Sequence, residues 1–262
     1  MALISTLVHK LRKTLFSNLF NTIISLVFIF IISVVCLNSF EWLIFKANWK
    51  VVTSNLPLYA FGSFPSNEQW RPATWIISLL SLSFITLFGP EWKWLRKNLF
   101  ILWAATIPLG LYLLYGGMGL QPINSRHWGG LTLTILLTSC SSLLSLPLGI
   151  VLALCRQSSL PLIQKTSSIY IDVMRAVPLI AVLFFGQLLI PLFLPVGIEI
   201  DRVWRAVLAF TLFVSAYIAE DIRGGLQSIP STQIEAANSL GLNQYQIIQF
   251  ILIPQALRIA LP

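Results

Sequence analysis

Long apolar runs without charged residues constrain this chain of 262 residues more than any other feature of its sequence. The first run, residues 19–37, has no charged side chain, and as a helix it is about 28 Å long, close to the hydrocarbon thickness of a bilayer. Because lipid offers the backbone no hydrogen-bond partners, such a run is predicted to cross the membrane as a helix. The same argument predicts membrane spans at residues 73–89, 98–125, 128–155, 176–198 and 203–222, and the start of a seventh at 247–262.

Composition excludes an ordinary soluble domain. Hydrophobic residues make up 56% of the chain and charged residues 10%, whereas soluble proteins are about one quarter charged. A net charge of +8 would suggest a nucleic-acid partner for a soluble protein, but basic loops beside a membrane explain it better, so we expect no nucleic acid. The cysteines, Cys36, Cys140 and Cys155, all lie in apolar runs without a CxxC pair, which argues against a disulfide framework or a metal site.

Basic residues predict the orientation in the membrane. Lys10, Arg12 and Lys13 precede the first run and place the N-terminus in the cytoplasm. We interpret this run as a retained helix rather than a cleaved signal peptide, because it is longer than a signal peptide's apolar region. Counting spans from there puts eleven of the 17 Lys and Arg residues inside, the bias that the positive-inside rule demands. Residues 38–72 are then predicted to form an external loop, and the chain to be a multi-pass membrane protein.

A short polar stretch, residues 231–254, lies between two apolar runs with the spacing EAA-x3-G-x9-I-x-I-P. As a helix it has one narrow face made of Ile234, Ala237, Leu240 and Gly241. The polar side chains on its other faces are directed toward water or a partner: Glu235, Asn238, Ser239 and Gln246. The alternative is an amphipathic surface helix in which the EAA triplet occurs by chance.

This spacing resembles the cytoplasmic-loop signature of the permease subunits of binding-protein-dependent ABC importers, apart from Ile253 where leucine is usual. The resemblance implies that residues 228–247 form a coupling loop whose short helix docks in a groove on an ATPase subunit. Small residues let the two backbones approach, and the carboxylate can pair with a basic group of the partner. The residues that the signature assigns to coupling are Glu235, Ala236, Ala237, Gly241 and Pro254.

Beyond the loop, the chain is similar to the polar amino acid branch of these permeases, the histidine/glutamine-type importers. AYIAEDIRGG at residues 216–225 and PQALRIALP at residues 254–262 match patterns of that branch. YIDVMRAVPL at residues 170–179 resembles its YxExxRGTPL stretch, with Asp172 in place of glutamate.

The resemblance implies the fold and the domain organisation. We expect an all-α, polytopic integral membrane protein with the type I permease fold of ABC importers. Residues 128–262 are then the permease core, and residues 1–127 add about three spans and an external loop. The branch continues through two more spans and a KDTSL-like stretch, so we expect a C-terminal truncation and an incomplete core.

Ionisable residues near the inner ends of the spans are candidates for a second site. Glu220 and Arg223 are three residues apart and therefore share a helix face. They are either a gate or part of the substrate path, as ionisable groups in spans often are, or an interfacial ion pair, which we favour. Arg175, close to Pro178, has the same two interpretations, and we favour a helix-start anchor over a substrate contact.

The sequence lacks the elements of an enzyme. It contains no G-x-x-x-x-G-K-[ST] loop, no His/Cys ligand cluster and no nucleophile–base pair. We therefore expect no cofactor in this chain, with ATP bound by a partner subunit.

The expected function is that of a transmembrane subunit in an ATP-driven importer. It would move polar or other amino acids that an external solute-binding protein delivers, together with ATPase subunits and a second permease subunit, identical or different. Two alternatives stay open: the same architecture importing another small solute, and a membrane scaffold or channel that meets no ATPase.

Overall fold

The computed structural model describes residues 14–89, 92–195 and 197–260. No β-strand occurs in those residues, and the predicted all-α class is confirmed. The α-helices, in chain order, are α1 (Leu19–Glu41), α2 (Trp49–Ser54), α3 (Leu56–Phe61), α4 (Trp70–Phe88), α5 (Lys93–Tyr115), α6 (Gly130–Arg156), α7 (Pro161–Ala176), α8 (Leu179–Leu188), α9 (Ile190–Phe193), α10 (Arg202–Gln227), α11 (Ser231–Ser239), α12 (Gln244–Ile247) and α13 (Ile253–Ala260). The chain divides after Leu56 into two compact units.

Several helices are long and apolar enough to cross a membrane, as the sequence predicts. In the described part of the chain these are Leu19–Lys46, Ser66–Phe88, Lys93–Tyr115, Gly130–Arg156 and Arg202–Gln227. The bent pair of α7 and α8 would make a sixth span. The basic residues that predict the orientation, Lys10, Arg12 and Lys13, lie outside the described residues.

The first unit is built on α1. This helix begins after Asn18, whose side chain accepts a hydrogen bond from the backbone N–H of Asn21 at 2.8 Å. It continues through a π-helical turn to Lys46, well beyond the predicted end of the first span. Its large apolar side chains are exposed, which is the arrangement expected of a helix surrounded by lipid.

In the second unit, α4 and α5 share a core with α6 and α10. Trp75, Leu114, Leu136 and Val207, one residue from each helix, are fully buried in it. The Trp75 indole donates a hydrogen bond to the Thr106 carbonyl oxygen at 2.8 Å. Residues on both sides of position 127 thus belong to one packed unit, and the functional boundary placed there by the sequence stays a prediction.

Helices α6 and α10 run parallel. At their N-terminal ends, the Ser125 hydroxyl donates to the Asp201 carboxylate at 2.5 Å, and Arg202 donates to the Ser125 carbonyl oxygen at 2.9 Å. At their C-terminal ends, Arg156 and Glu220 form an ion pair at 3.2 Å. The intervening residues 157–201 must therefore return from one end of α6 to the other.

The return segment contains the apolar run 176–198, but its helices have other bounds than the predicted span. Helices α7 and α8 meet at a bend of 105°. Val177 is extended, with ψ 137°, because Pro178 follows it and disfavours the α conformation. Pro191 then lies at the start of the short α9, which ends at Phe193. Proline therefore breaks the fifth span, as its three prolines, Pro178, Pro191 and Pro195, lead one to expect.

The last apolar segment packs against α10. Between α12 and α13 the helix widens into a π-helical turn, Ile248–Leu252, in which the Ile253 N–H bonds to the Ile248 carbonyl oxygen. Pro254 follows, and because proline lacks an N–H and crowds the preceding turn, a wider turn before it relieves the clash. Residues 261 and 262, the end of the predicted seventh segment, lie outside the described residues.

Candidate functional site

The predicted coupling helix is present as α11. It follows α10 after a linker of residues 228–230, in which the Ser228 N–H bonds to carbonyl oxygens of the last turn of α10. Pro230, with φ −62°, precedes the first residue of α11. Because proline fixes φ and cannot continue the preceding helix, it separates the two helices at a defined place.

Gly241 terminates α11. Its φ of +76° lies in the left-handed region. Its N–H donates to the Asn238 carbonyl oxygen at 2.9 Å, and the Leu242 N–H donates to the Ala237 carbonyl oxygen at 3.2 Å, the two bonds of a Schellman motif. A Cβ at this position would meet no atom within 4 Å. Within the chain, glycine is therefore required by the backbone conformation and not by a close contact.

The coupling helix has one buried residue and a wide exposed surface. Ala237 is buried, whereas Glu235 and Ala236 are exposed. Leu240 is 80% exposed and Gly241 is also exposed. The prediction that Ala237, Leu240 and Gly241 share one narrow helix face is therefore wrong. The helix ends at Ser239, and the helical periodicity does not continue through the Schellman turn.

The second half of the loop is held by its own backbone caps. The Asn243 side chain accepts the Gln246 N–H at 2.9 Å, and the Gln246 side chain accepts the Asn243 N–H at 2.9 Å, so the two residues form a capping box for α12. Gln246, predicted to face water or a partner, makes this local contact. Pro254 lies beyond the loop in α13, where its role in the chain is to shape the helix backbone.

Around Glu220 lies an ion-pair cluster, made of Arg156, Asp172, Arg175, Glu220 and Arg223. The Glu220 Oε2 lies 3.2 Å from Arg156 Nη1 and 3.5 Å from Arg175 Nη1. Its Oε1 pairs with the Arg223 guanidinium, and Arg156 Nη2 lies 3.0 Å from the Asp172 Oδ1. The Glu220 side chain is only 19% exposed, so the negative charge of this carboxylate is stabilised by the guanidinium groups rather than by water.

The structure brings the predicted candidates Glu220, Arg223 and Arg175 together. The predicted pair of Glu220 and Arg223 is present, but it is one part of a larger set. Arg175 lies in the last turn of α7, so its predicted role as a helix-start anchor is wrong. The bend at Pro178 ends one helix there and starts another, and Arg175 belongs to the first.

Two further members of the cluster, Arg156 and Asp172, were not among the site residues predicted from the sequence. Arg156 is the charge that closes the apolar run 128–155, and Asp172 stands at the glutamate position of the 170–179 stretch. Each residue is therefore conspicuous in the sequence, but neither feature indicates which side chains the residue pairs with. In the described part of the chain, no group of three or more His, Cys, Asp or Glu side chains is placed to hold a metal ion.

The coupling loop and the ion-pair cluster both lie in the part of the chain that matches known proteins. Residues 145–262 match the family model "Binding-protein-dependent transport system inner membrane component". The chain is 35% identical over 270 residues to the inner membrane amino-acid ABC transporter permease protein YhdY of Escherichia coli (strain K12), covering 96% of this chain and 72% of that protein. It is 44% identical over 145 residues to the glutamate/glutamine/aspartate/asparagine transport system permease protein BztC of Rhodobacter capsulatus, covering 55% of this chain and 33% of that protein.

A solved structure, described as a crystal structure of an amino acid ABC transporter with histidines, is 34% identical, with a TM-score of 0.44 over 51% of this chain and 61% of that chain. The match to YhdY extends over nearly the whole of this chain, including the N-terminal spans. The chain therefore belongs to the permease family of binding-protein-dependent ABC transporters, the inner membrane components of these systems.

Proposed function

We propose that this chain is the transmembrane subunit of an ATP-driven importer that carries amino acids across the inner membrane. One observation carries this proposal: a short helix that exposes Glu235 and Ala236 of the EAA triplet follows a candidate membrane span after a three-residue linker, inside the segment that matches the family model. The names of YhdY and BztC support amino acids as the solute, and the name of BztC supports acidic amino acids and their amides.

The coupling surface of this proposal consists of Glu235, Ala236, Leu240 and Gly241. An ATPase subunit that closes on ATP can move the membrane spans only through a rigid contact. Leu240 offers an apolar anchor, the exposed carboxylate of Glu235 suits a basic partner residue, and Ala236 allows close approach. Ala237 and Pro254 act within the chain: Ala237 packs α11 onto its own subunit, and Pro254 shapes the helix that follows.

The remaining parts of the importer are assigned on the basis of the family. ATP is bound and hydrolysed by the ATPase partner, an external solute-binding protein delivers the amino acid, and a second permease subunit, identical or different, completes the path. We place the N-terminus and the coupling loop in the cytoplasm, as the distribution of basic residues predicts.

Uptake of radiolabelled amino acids tests the proposal. Cells that lack the gene are compared with cells complemented by the full-length gene, and unlabelled amino acids serve as competitors. We expect the deletion to abolish ATP-dependent uptake of a polar set such as glutamate and glutamine, and complementation to restore it. Unchanged uptake of every amino acid would reject amino acids as the solute and favour the alternative of another small solute.

A further inference from the structure

We propose that the ion-pair cluster is a brace that holds α6, α7 and α10 together at the base of the coupling loop. A displacement of the loop then moves the three helices as one body. The role of the brace in transport rests on the proposed function, whereas its mechanical part rests on the geometry alone. Glu220 is a positioning residue in this scheme, and Arg156 and Asp172 link it to helices other than its own.

The cluster differs from a local ion pair on one helix. Arg223 shares α10 with Glu220, but Arg156 comes from α6 and Arg175 from α7. Arg156 also reaches Asp172 on α7 at 3.0 Å. One guanidinium of α6 therefore joins carboxylates of two other helices, and the ion pairs connect all three helices to one another.

The contacts of the cluster favour a mechanical role over a substrate path. A group that lines a path must offer the solute an unengaged charge, but both Glu220 oxygens and both Arg156 Nη atoms are engaged. Arg175 is held further by Tyr217, whose ring centroid lies 5.8 Å from its guanidinium carbon and whose hydroxyl donates to its carbonyl oxygen at 3.4 Å. Removing one partner of a poorly hydrated pair leaves an uncompensated charge, so the cluster resists opening.

The position of the cluster connects it to the coupling loop on one side and to the bent return segment on the other. Glu220 lies in the last two turns of α10, and α11 starts shortly afterwards. Beyond the loop, α13 packs closely on α10, since a Cβ at Gly225 would lie 2.5 Å from the Ala256 carbonyl oxygen. The braced α7 continues through the 105° bend into α8, so motion that reaches α7 is passed to α8 and the rest of the return segment.

A charge swap separates the brace from a local pair. In the full-length protein, Glu220→Gln removes the central carboxylate, and the double variant E220R/R223E exchanges the two charges within α10. If the pair were local, the swap would restore wild-type behaviour. If the cluster is a brace, the swap does not restore wild-type behaviour, because the arginine introduced by Glu220→Arg is repelled by Arg156 and Arg175. Glu41→Gln is the matched control: it removes a carboxylate from an exposed ion pair with Lys46 at 2.8 Å.

Two measurements read the result. In a background with all native cysteines replaced by alanine, spin labels are attached at Lys165→Cys on α7 and Thr232→Cys on α11, both exposed positions. They report the distance between the braced helix and the coupling helix. In proteoliposomes with the assembled importer, amino acid imported per ATP hydrolysed is measured with glutamate and glutamine. We expect Glu220→Gln and the swap to broaden the distance distribution and to lower the transport ratio on the order of threefold or more, and the control to change neither.

Restoration of both readouts by the swap would overturn the proposal, and so would a distance distribution that stays narrow in Glu220→Gln. Where Glu220→Gln does not accumulate in the membrane, the double variant D172N/R175Q takes its place, because it removes both ion pairs that tie α7 to the other two helices; broadening supports the brace and its absence overturns it. The distance measurement requires no substrate and no ATPase. If wild-type protein imports no amino acid, the proposed function fails while the distances still decide the brace.

Discussion

At the scale of single residues, the end of the coupling helix depends on the left-handed backbone conformation of Gly241. That conformation costs a residue with a Cβ about 1–2 kcal/mol, whereas asparagine adopts it more readily. The same residue also determines how Leu240 is presented, because the helix must stop at Ser239 for that side chain to turn outward.

We therefore expect Gly241→Ala to loosen the end of α11 and to lower uptake, and Gly241→Asn to retain most of both. Hydrogen exchange of the Leu242 amide, which bonds to the Ala237 carbonyl oxygen at 3.2 Å, measures the loosening independently of transport. Equal exchange rates in both variants would show that the left-handed conformation does not limit the helix end.

At the scale of the elements, the packing of α10 on α13 fixes both sides of the coupling loop. Gly225 and Gly224 are neighbours in α10 with opposite surroundings: a Cβ at Gly225 would lie 2.5 Å from the Ala256 carbonyl oxygen, and a Cβ at Gly224 would meet no atom within 4 Å. The two glycines therefore provide a matched pair for testing this contact.

We expect Gly225→Ala to destabilise the protein by about 1–3 kcal/mol, because α10 and α13 must separate to admit the methyl group. Gly224→Ala is expected to be neutral or to stabilise by up to about 1 kcal/mol, since alanine is the better helix former. Thermal unfolding of the two purified variants in the same detergent measures the difference. A Gly225→Ala protein as stable as Gly224→Ala would mean that the helices are not in close contact.

At the scale of the whole molecule, the parallel course of α6 and α10 places the coupling loop on the side of the membrane opposite to the turn between α5 and α6. The turn that connects α5 to α6 lies at the start of α6, and the coupling loop follows the opposite end of α10. The bent return segment makes the parallel course possible, because it brings the chain back to the side on which α6 begins. Without it, α10 would begin where α6 ends, and the two helices would be antiparallel. The two loops therefore lie on opposite sides of the membrane.

Cysteine labelling tests this arrangement. In the cysteine-free background, Met118→Cys, at a position that is 95% exposed, is expected to react with a membrane-impermeant maleimide in intact cells. Thr232→Cys in the coupling helix is expected to react only after the cells are opened. Reaction of Thr232→Cys in intact cells would place the coupling loop outside and contradict coupling to a cytoplasmic ATPase.

The sequence by itself was sufficient for the features that depend on neighbouring residues. Apolar runs such as residues 19–37 and 128–155 mark α1 and α6, because the bilayer sets the length and polarity of any segment that crosses it. The EAA spacing similarly marks α11. The left-handed Gly241 and the Asn243–Gln246 capping box are local motifs as well, but the interpretation of residues 231–254 as one helix missed both.

Only the tertiary structure decided which side chains meet across helices. Glu220 pairs with Arg156, 64 residues away, because α6 and α10 run parallel, and no local pattern determines that direction. Ala237 is buried while Leu240 is exposed because α11 ends between them and packs on its own chain. Periodicity assigns residues to a face only while the helix continues, and a pairwise contact between distant segments depends on the path of the whole chain between them.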